Sequence, residues 1–261
     1  MEQRNVYDLF DHNQPTGWCG TVSGGYGTAN TAFTTVNSGV LTSTQCQVNA
    51  LLCPSRHQKG ARNSGNMCPT DYAVLVYYLN PTNLTDCGGD VRLHQSPQYH
   101  RAALQSAIRD TSADWKPSNF TLRGGFASVT DGTSNTAMIA EKHIDRSGVN
   151  RAGGNTSSDR DGTPFYSGCG GFGPGYGENN IAGPTRNRPM AKSSSEIATN
   201  LTGTCNDPAT AVNPPMVGSW HPGVVNFLMV DGSTRPISVT IDQTTLERLT
   251  MRDDGQAVQV P

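Results

Sequence analysis

The sequence predicts an α+β fold rich in β-structure: an antiparallel sheet with long loops of Gly, Ser, Thr and Asn and few short helices. Three observations lead there. The hydrophobic fraction is 34 % and the charged fraction only 15 %, with 29 Gly and 16 Pro in 261 residues, so the polar surface is drawn mainly from Ser, Thr, Asn and Gln, as suits a loop-rich β protein. The apolar runs are short and rich in β-branched and aromatic residues, which favours buried strands over helices. Near the C-terminus two such runs flank an Asp-Gly dipeptide, a strong short-range hairpin signal. The length suits one large domain, read here as residues 1–261 with a long irregular insertion over about 145–213.

Taken in order, Asn13 to Thr44 is a Gly, Thr, Ser and Asn mixture with little periodicity and reads as loops. Val48 to Leu52 reads as a short apolar strand that stops at Cys53-Pro54-Ser55-Arg56. A polar loop leads to Asp71 and a buried strand, Tyr72 to Leu79, closed by Asn80-Pro81. Gln105 to Ala113 suits a short helix or a turn. Phe126 to Val129 leads into the turn Asp131-Gly132-Thr133-Ser134-Asn135-Thr136, and Ala137 to Glu141 is a second apolar strand with a carboxylate at its end.

The insertion is densest in glycine from Gly168 to Gly177, which suits sharp bends or a long exposed loop. Val224 to Val230, Asp231-Gly232 and Ser233 to Val239 then predict a hairpin with a type I′ turn. Pro236 has no N–H for the ladder, so its strand is expected at an edge or bulged. Thr244-Thr-Leu-Glu247 matches a capping box with Thr244 as N-cap, and Leu246 and Leu249 give the following short helix an apolar face.

A formal net charge of -2 supplies no field for nucleic acid or an anionic membrane. The longest apolar run, Tyr72 to Leu79, is far short of the roughly 18 to 20 residues of a membrane span. The first residues lack the apolar core of a signal peptide, so an exported protein with this sequence is expected to have a longer precursor. Seven cysteines, Cys19, Cys46, Cys53, Cys68, Cys87, Cys169 and Cys205, show no zinc-type or redox-type spacing. Structural disulfides fit them better, with one cysteine left over. A Cys19–Cys46 bridge would stabilise its weakly apolar loop by about 3 to 4 kcal/mol.

Ser219-Trp220-His221-Pro222-Gly223 precedes Asp231-Gly232 so that nine residues separate His221 from Asp231. With His-Pro-Gly before an apolar strand and Asp-Gly-Ser after it, this resembles the C-terminal signature of the bacterial prepilin-type processing-associated H-x9-DG proteins. Leu52-Cys53-Pro54-Ser55-Arg56, Thr70-Asp71-Tyr72-Ala73 and Thr130 to Thr136 with Glu141 resemble the same family in the same order, and Glu2 to Tyr7 resembles its stretch just after the pilin-like N-terminal helix. Val224 and Pro236 depart from the family pattern.

The resemblance implies the β-rich, pilin-like head of an exported protein, in the periplasm or at the cell surface. An N-terminal hydrophobic helix of the precursor would anchor it in the inner membrane. Other pilin-like subunits or secretion machinery would be its partners, with no nucleic acid and no cofactor. The family-motif residues are His221, Pro222, Gly223, Asp231, Gly232, Asp131, Gly132, Asn135 and Glu141.

His221 and Asp231 stand at opposite ends of a strand of about seven residues, so on the order of 20 Å separates them and they share neither a metal nor a proton. Both read as structural, His221 at the approach to the hairpin and Asp231 in its turn. Asp131 and Asn135 offer hard oxygens suited to calcium, or an Asx-turn bonding its own backbone. Asp159 and Asp161 resemble the start of a calcium loop that lacks the acidic twelfth position. No esterase, metalloprotease, P-loop or dinucleotide motif is present, so the chain reads as non-enzymatic. A secreted module binding glycan or calcium through Phe165, Tyr166, Phe172 and Tyr176 is the alternative.

Overall fold

The computed structural model describes residues 47–62, 69–75, 77, 101–104, 108–109, 120–121, 124–150, 181–182, 189–196, 217–256 and 258, and all structural statements concern these. The strands are β1 (Tyr72–Leu75), β2 (Ile108–Arg109), β3 (Phe120–Thr121), β4 (Ala137–Glu141), β5 (Ile181–Ala182), β6 (Val224–Met229) and β7 (Thr234–Ser238), followed by helix α1 (Gln243–Thr250). They form one sheet in the order β5-β1-β4-β6-β7 and a two-stranded ribbon of β2 and β3. From β1 to β7 every pairing is antiparallel, and β5 adds to β1 in parallel. The β-rich α+β expectation holds. No helix among the described residues is long and apolar enough to cross a membrane.

Alternation builds the core. Along β6, Val225, Phe227 and Met229 are buried while Val224, Asn226 and Leu228 turn to the other face, the period-two pattern of a strand. Register places Phe227 beside Ala140, and Ala140 beside Ala73, so two small residues make room for one ring. Ile237 joins from β7, and Leu246 and Leu249 join from α1. A register shift between Ala137 and Ile139 keeps both Ala137 and Ala140 on this face.

Several local expectations are corrected. Val48 to Leu52 is not a strand: Asn49–Leu51 is a turn of 3-10 helix, with Leu51 N–H donating to the Val48 carbonyl, because a run this short carries no period that separates strand from helix. Ile108–Arg109, within the segment expected as helix or turn, pairs with Phe120–Thr121 as strand. Ile181–Ala182, inside the expected irregular insertion, pairs with β1.

The helix N-cap is Asp242 rather than Thr244. The Asp242 carboxylate accepts the Thr245 N–H at 2.9 Å and α1 begins at Gln243, since Asp fills that role as well as Thr and stands two residues earlier. The hairpin turn also differs. Gly232 N–H donates to the Met229 carbonyl and Gly232 has φ +85°, whereas Asp231 has no positive φ. A type I′ turn needs positive φ at both central residues. The chain instead turns at Val230-Asp231, with Gly232 as the left-handed residue that rejoins the ladder. The expected Cys19–Cys46 bridge lies outside the described residues.

Candidate functional site

Four separate segments of the chain meet at the end of the β1–β4–β6 sheet. The first is the loop after the 3-10 turn, where Arg56 and His57 N–H groups both donate to the Cys53 carbonyl and curl residues 53–57 into a tight turn. The second is Thr70-Asp71 at the start of β1, the third is Glu141 at the end of β4, and the fourth is Ser219 to His221 before β6. Backbone bonds stitch them together: Lys142 N–H to the Asp71 carbonyl at 2.9 Å and Gly218 N–H to the Glu141 carbonyl at 3.1 Å.

Asp71 is the hub on one side. Its buried carboxylate accepts the Cys53 N–H at 2.6 Å, pairs with the Arg56 guanidinium at 2.9 Å and meets His57 Nδ1 at 2.9 Å. Burial pushes this carboxyl up, but the His57 hydrogen bond, the Arg56 and His57 charges and the Cys53 amide outweigh it and hold it below the usual carboxylate range. Arg56 also donates to the Gly218 carbonyl at 3.4 Å and lies 5.9 Å from the Trp220 ring centroid, a cation–π distance. Trp220 Nε1–H in turn donates to the Ile144 carbonyl at 2.9 Å. This network fixes both loops to the sheet.

On the other side stand three groups with ligand chemistry: Cys53, Glu141 and His221, whose donor atoms all lie within 4.8 Å of one another. His221 Nε2 is 3.4 Å from Cys53 Sγ and 3.3 Å from Glu141 Oε1. Cys53 is a free, buried thiol, 2.9 Å from Ser55 Oγ. Burial raises its pKa, Ser55 hydrogen bonds lower it, and the neighbouring carboxylates of Glu141 and Asp71 raise it, with a net rise. Tyr72, beside Glu141 in register, is pushed up to about 12 by burial and then by Cys53, Glu141 and Asp71. The carboxylates of Glu141 and Asp71 thus act on both Cys53 and Tyr72.

Glu141 has no exposed surface. Its Oε2 accepts the backbone N–H of Asn226 at 2.8 Å and the Asn226 side-chain amide at 3.2 Å. Its Oε1, also buried, accepts no hydrogen bond among the described residues and faces His221. The His221 side chain keeps 34 % of its surface exposed, and the backbone N–H of His221 donates to Ser219 Oγ at 3.1 Å.

Cysteine, histidine and glutamate in contact invite comparison with a nucleophile–base–carboxylate relay. Such a relay uses both imidazole nitrogens, one towards the nucleophile and the other towards the carboxylate. Here Cys53 and Glu141 approach the same nitrogen, Nε2. The three groups converge on a point instead of forming a line.

The remaining sequence-named residues are placed as follows. Asp231 and Gly232 lie at the opposite end of β6 from His221, and Asp231 accepts Ser233 N–H at 2.8 Å as a turn residue. Pro222 and Gly223 are exposed in the turn into β6, Gly223 with φ +72°. The Asp131 carboxylate accepts the N–H groups of Asp254 and Gly255 at 2.8 and 3.0 Å and so clasps the segment after α1. Asn135 donates to the Asp131 carbonyl at 3.3 Å, and Gly132 (φ +99°) bends the turn between them. Asp159, Asp161, Phe165, Tyr166, Phe172 and Tyr176 lie outside the described residues.

The sequence names His221 and Glu141 singly, and Cys53 as a possible disulfide partner and as part of the Leu52–Arg56 motif segment. The signal that could have joined them is that each motif segment, in chain order, contributes a titratable side chain to this corner: Cys53, Asp71, Glu141 and His221. A model of the family described as Protein of unknown function (DUF1559) matches residues 1–244. No curated protein and no solved structure matches the chain.

Proposed function

The chain belongs to the family described as Protein of unknown function (DUF1559), and from that premise we propose that it is the exported head of a non-enzymatic, pseudopilin-like surface or secretion-assembly subunit. The carrying observation is that the four motif segments knit the two loops to the sheet through Asp71 and Glu141, while His221 offers a single nitrogen to both Cys53 and Glu141. Motif residues spent on holding the head together suit a subunit whose work is contact with neighbours. The low charge and the wealth of Gly, Ser, Thr and Asn support a surface facing outside the cytoplasm. The likeness of Glu2 to Tyr7 to the stretch after a prepilin helix supports inner-membrane anchoring of the precursor, with other pilin-like subunits or secretion machinery as partners.

Cell fractionation tests the proposal. The protein, expressed from its own gene with the upstream coding sequence, is expected in the inner-membrane fraction, shortened by prepilin peptidase and digestible by protease added to spheroplasts. An unprocessed protein shielded from protease in intact spheroplasts would overturn it.

A further inference from the structure

We propose that Cys53, Glu141 and His221 form a binding site for a divalent metal ion of the zinc class, a function separate from the subunit role above. Zinc is bound by thiolate, imidazole and carboxylate with bonds of about 2.3, 2.0 and 2.1 Å, which in a tetrahedron sets the nitrogen–oxygen edge at about 3.4 Å and the nitrogen–sulfur edge at about 3.5 Å. The corresponding separations here are 3.3 Å for His221 Nε2 to Glu141 Oε1 and 3.4 Å for His221 Nε2 to Cys53 Sγ. Two of the three donor–donor separations are therefore already near tetrahedral values, and the third, Cys53 to Glu141, lies within 4.8 Å.

The second observation is Glu141 Oε1. A fully buried carboxylate oxygen with no hydrogen bond among the described residues is costly to maintain, and this one is aimed at the other two donors. Its partner oxygen is pinned by both N–H groups of Asn226, which fixes the carboxylate orientation as outer-shell hydrogen bonds do at metal centres. Ser55 and Ser219 do the same for Cys53 and for the backbone of His221. A dication would also balance a thiolate and a carboxylate that share the pocket, the role Arg56 already fills for Asp71.

Soft sulfur beside nitrogen and one oxygen selects zinc over calcium or magnesium, which require oxygen cages. Three protein ligands, of which His221 is partly exposed, leave the fourth position to water from the solvent side. The ion would clamp the 53–57 loop to the 219–223 loop across the end of the sheet.

The test uses the full chain, reduced and stripped of metal with a chelator, titrated with cobalt(II) and then zinc. One cobalt per chain is expected, with a sulfur-to-cobalt charge-transfer band that zinc abolishes, and a rise in Tm at saturating zinc. Cys53→Ser removes the band. His221→Ala, a change in a partly exposed loop residue, weakens zinc by more than the roughly 10- to 100-fold typical of losing an outer-shell partner. Because the chain has six further cysteines, the variants decide the location. A wild-type chain without the cobalt band would overturn the proposal, as would variants that bind cobalt and zinc as tightly as the wild type.

Discussion

Arg56 and Asp71 form an ion pair at 2.9 Å in which neither side chain has any exposed surface. Removing one member of such a pair leaves the other as an uncompensated buried charge, at a cost of about 3 to 5 kcal/mol. Asp71→Ala adds the loss of an acceptor for the Cys53 N–H. Urea unfolding at neutral pH is expected to show the full loss for Asp71→Ala. A double replacement of Arg56 and Asp71 by Met and Leu recovers a large part of it.

The same carboxylate sets a pH dependence. Its folded pKa lies below the unfolded value of about 3.9, so as acid is added the unfolded chain takes up the proton first and stability falls. The contribution is complete above the unfolded pKa and is lost as pH drops through the folded one. Asp231 and Asp242 are lowered as well, by hydrogen bonds from Ser233 and Thr245, so the wild type alone does not isolate Asp71. Tm measured from neutral pH down to about 3 is expected to fall less steeply in Asp71→Asn, from a lower starting point.

Gly218 is a close approach. A Cβ there would stand 2.7 Å from the Ala191 Cβ and 2.7 Å from His143 Nδ1, both parts of the packed interior. Gly218 also donates to Glu141 and accepts from Arg56, so its backbone has little freedom to retreat. Gly218→Ala is expected to cost roughly 1 to 3 kcal/mol, the range for overpacking, and thermal unfolding checks it.

Cys53 is expected to be a slow nucleophile in the metal-free folded chain. Burial raises its pKa and the carboxylates of Glu141 and Asp71 add to the rise, and the thiolate is the reactive form. Iodoacetamide labelling at neutral pH, read by peptide mass spectrometry, should modify Cys53 far faster in urea than in buffer. Equal rates in the two conditions would refute this.

The strands of the antiparallel sheet were legible because their signals are local: an apolar run from Val224, a β-branched run from Tyr72, an Asp-Gly turn. The α1 face was legible through Leu246 and Leu249. What escaped were choices between near-equal local options, such as Asp242 against Thr244 as cap, or strand against 3-10 turn at Asn49–Leu51. The site escaped for a different reason. Cys53, Glu141 and His221 are brought together by strand order, and no spacing in the chain encodes that β4 lies between β1 and β6. Strand geometry did separate His221 from Asp231, but that left the partner of His221 to come from two other segments.

The edge position of Pro236 bears on how copies of this chain can associate. Met229 N–H donates to Ser233 and Val239 N–H to Gly223, so in the alternating ladder the pair Asn226–Pro236 falls between hydrogen-bonded rungs. The backbone nitrogen of residue 236 therefore faces outward, where a neighbouring strand would seek a donor, and proline has none. With β7 ending the sheet among the described residues, the outer rim lacks a rung in its middle, which guards against strand-on-strand aggregation. Copies of this chain that meet along β7 would touch through side chains and loops instead of adding a strand.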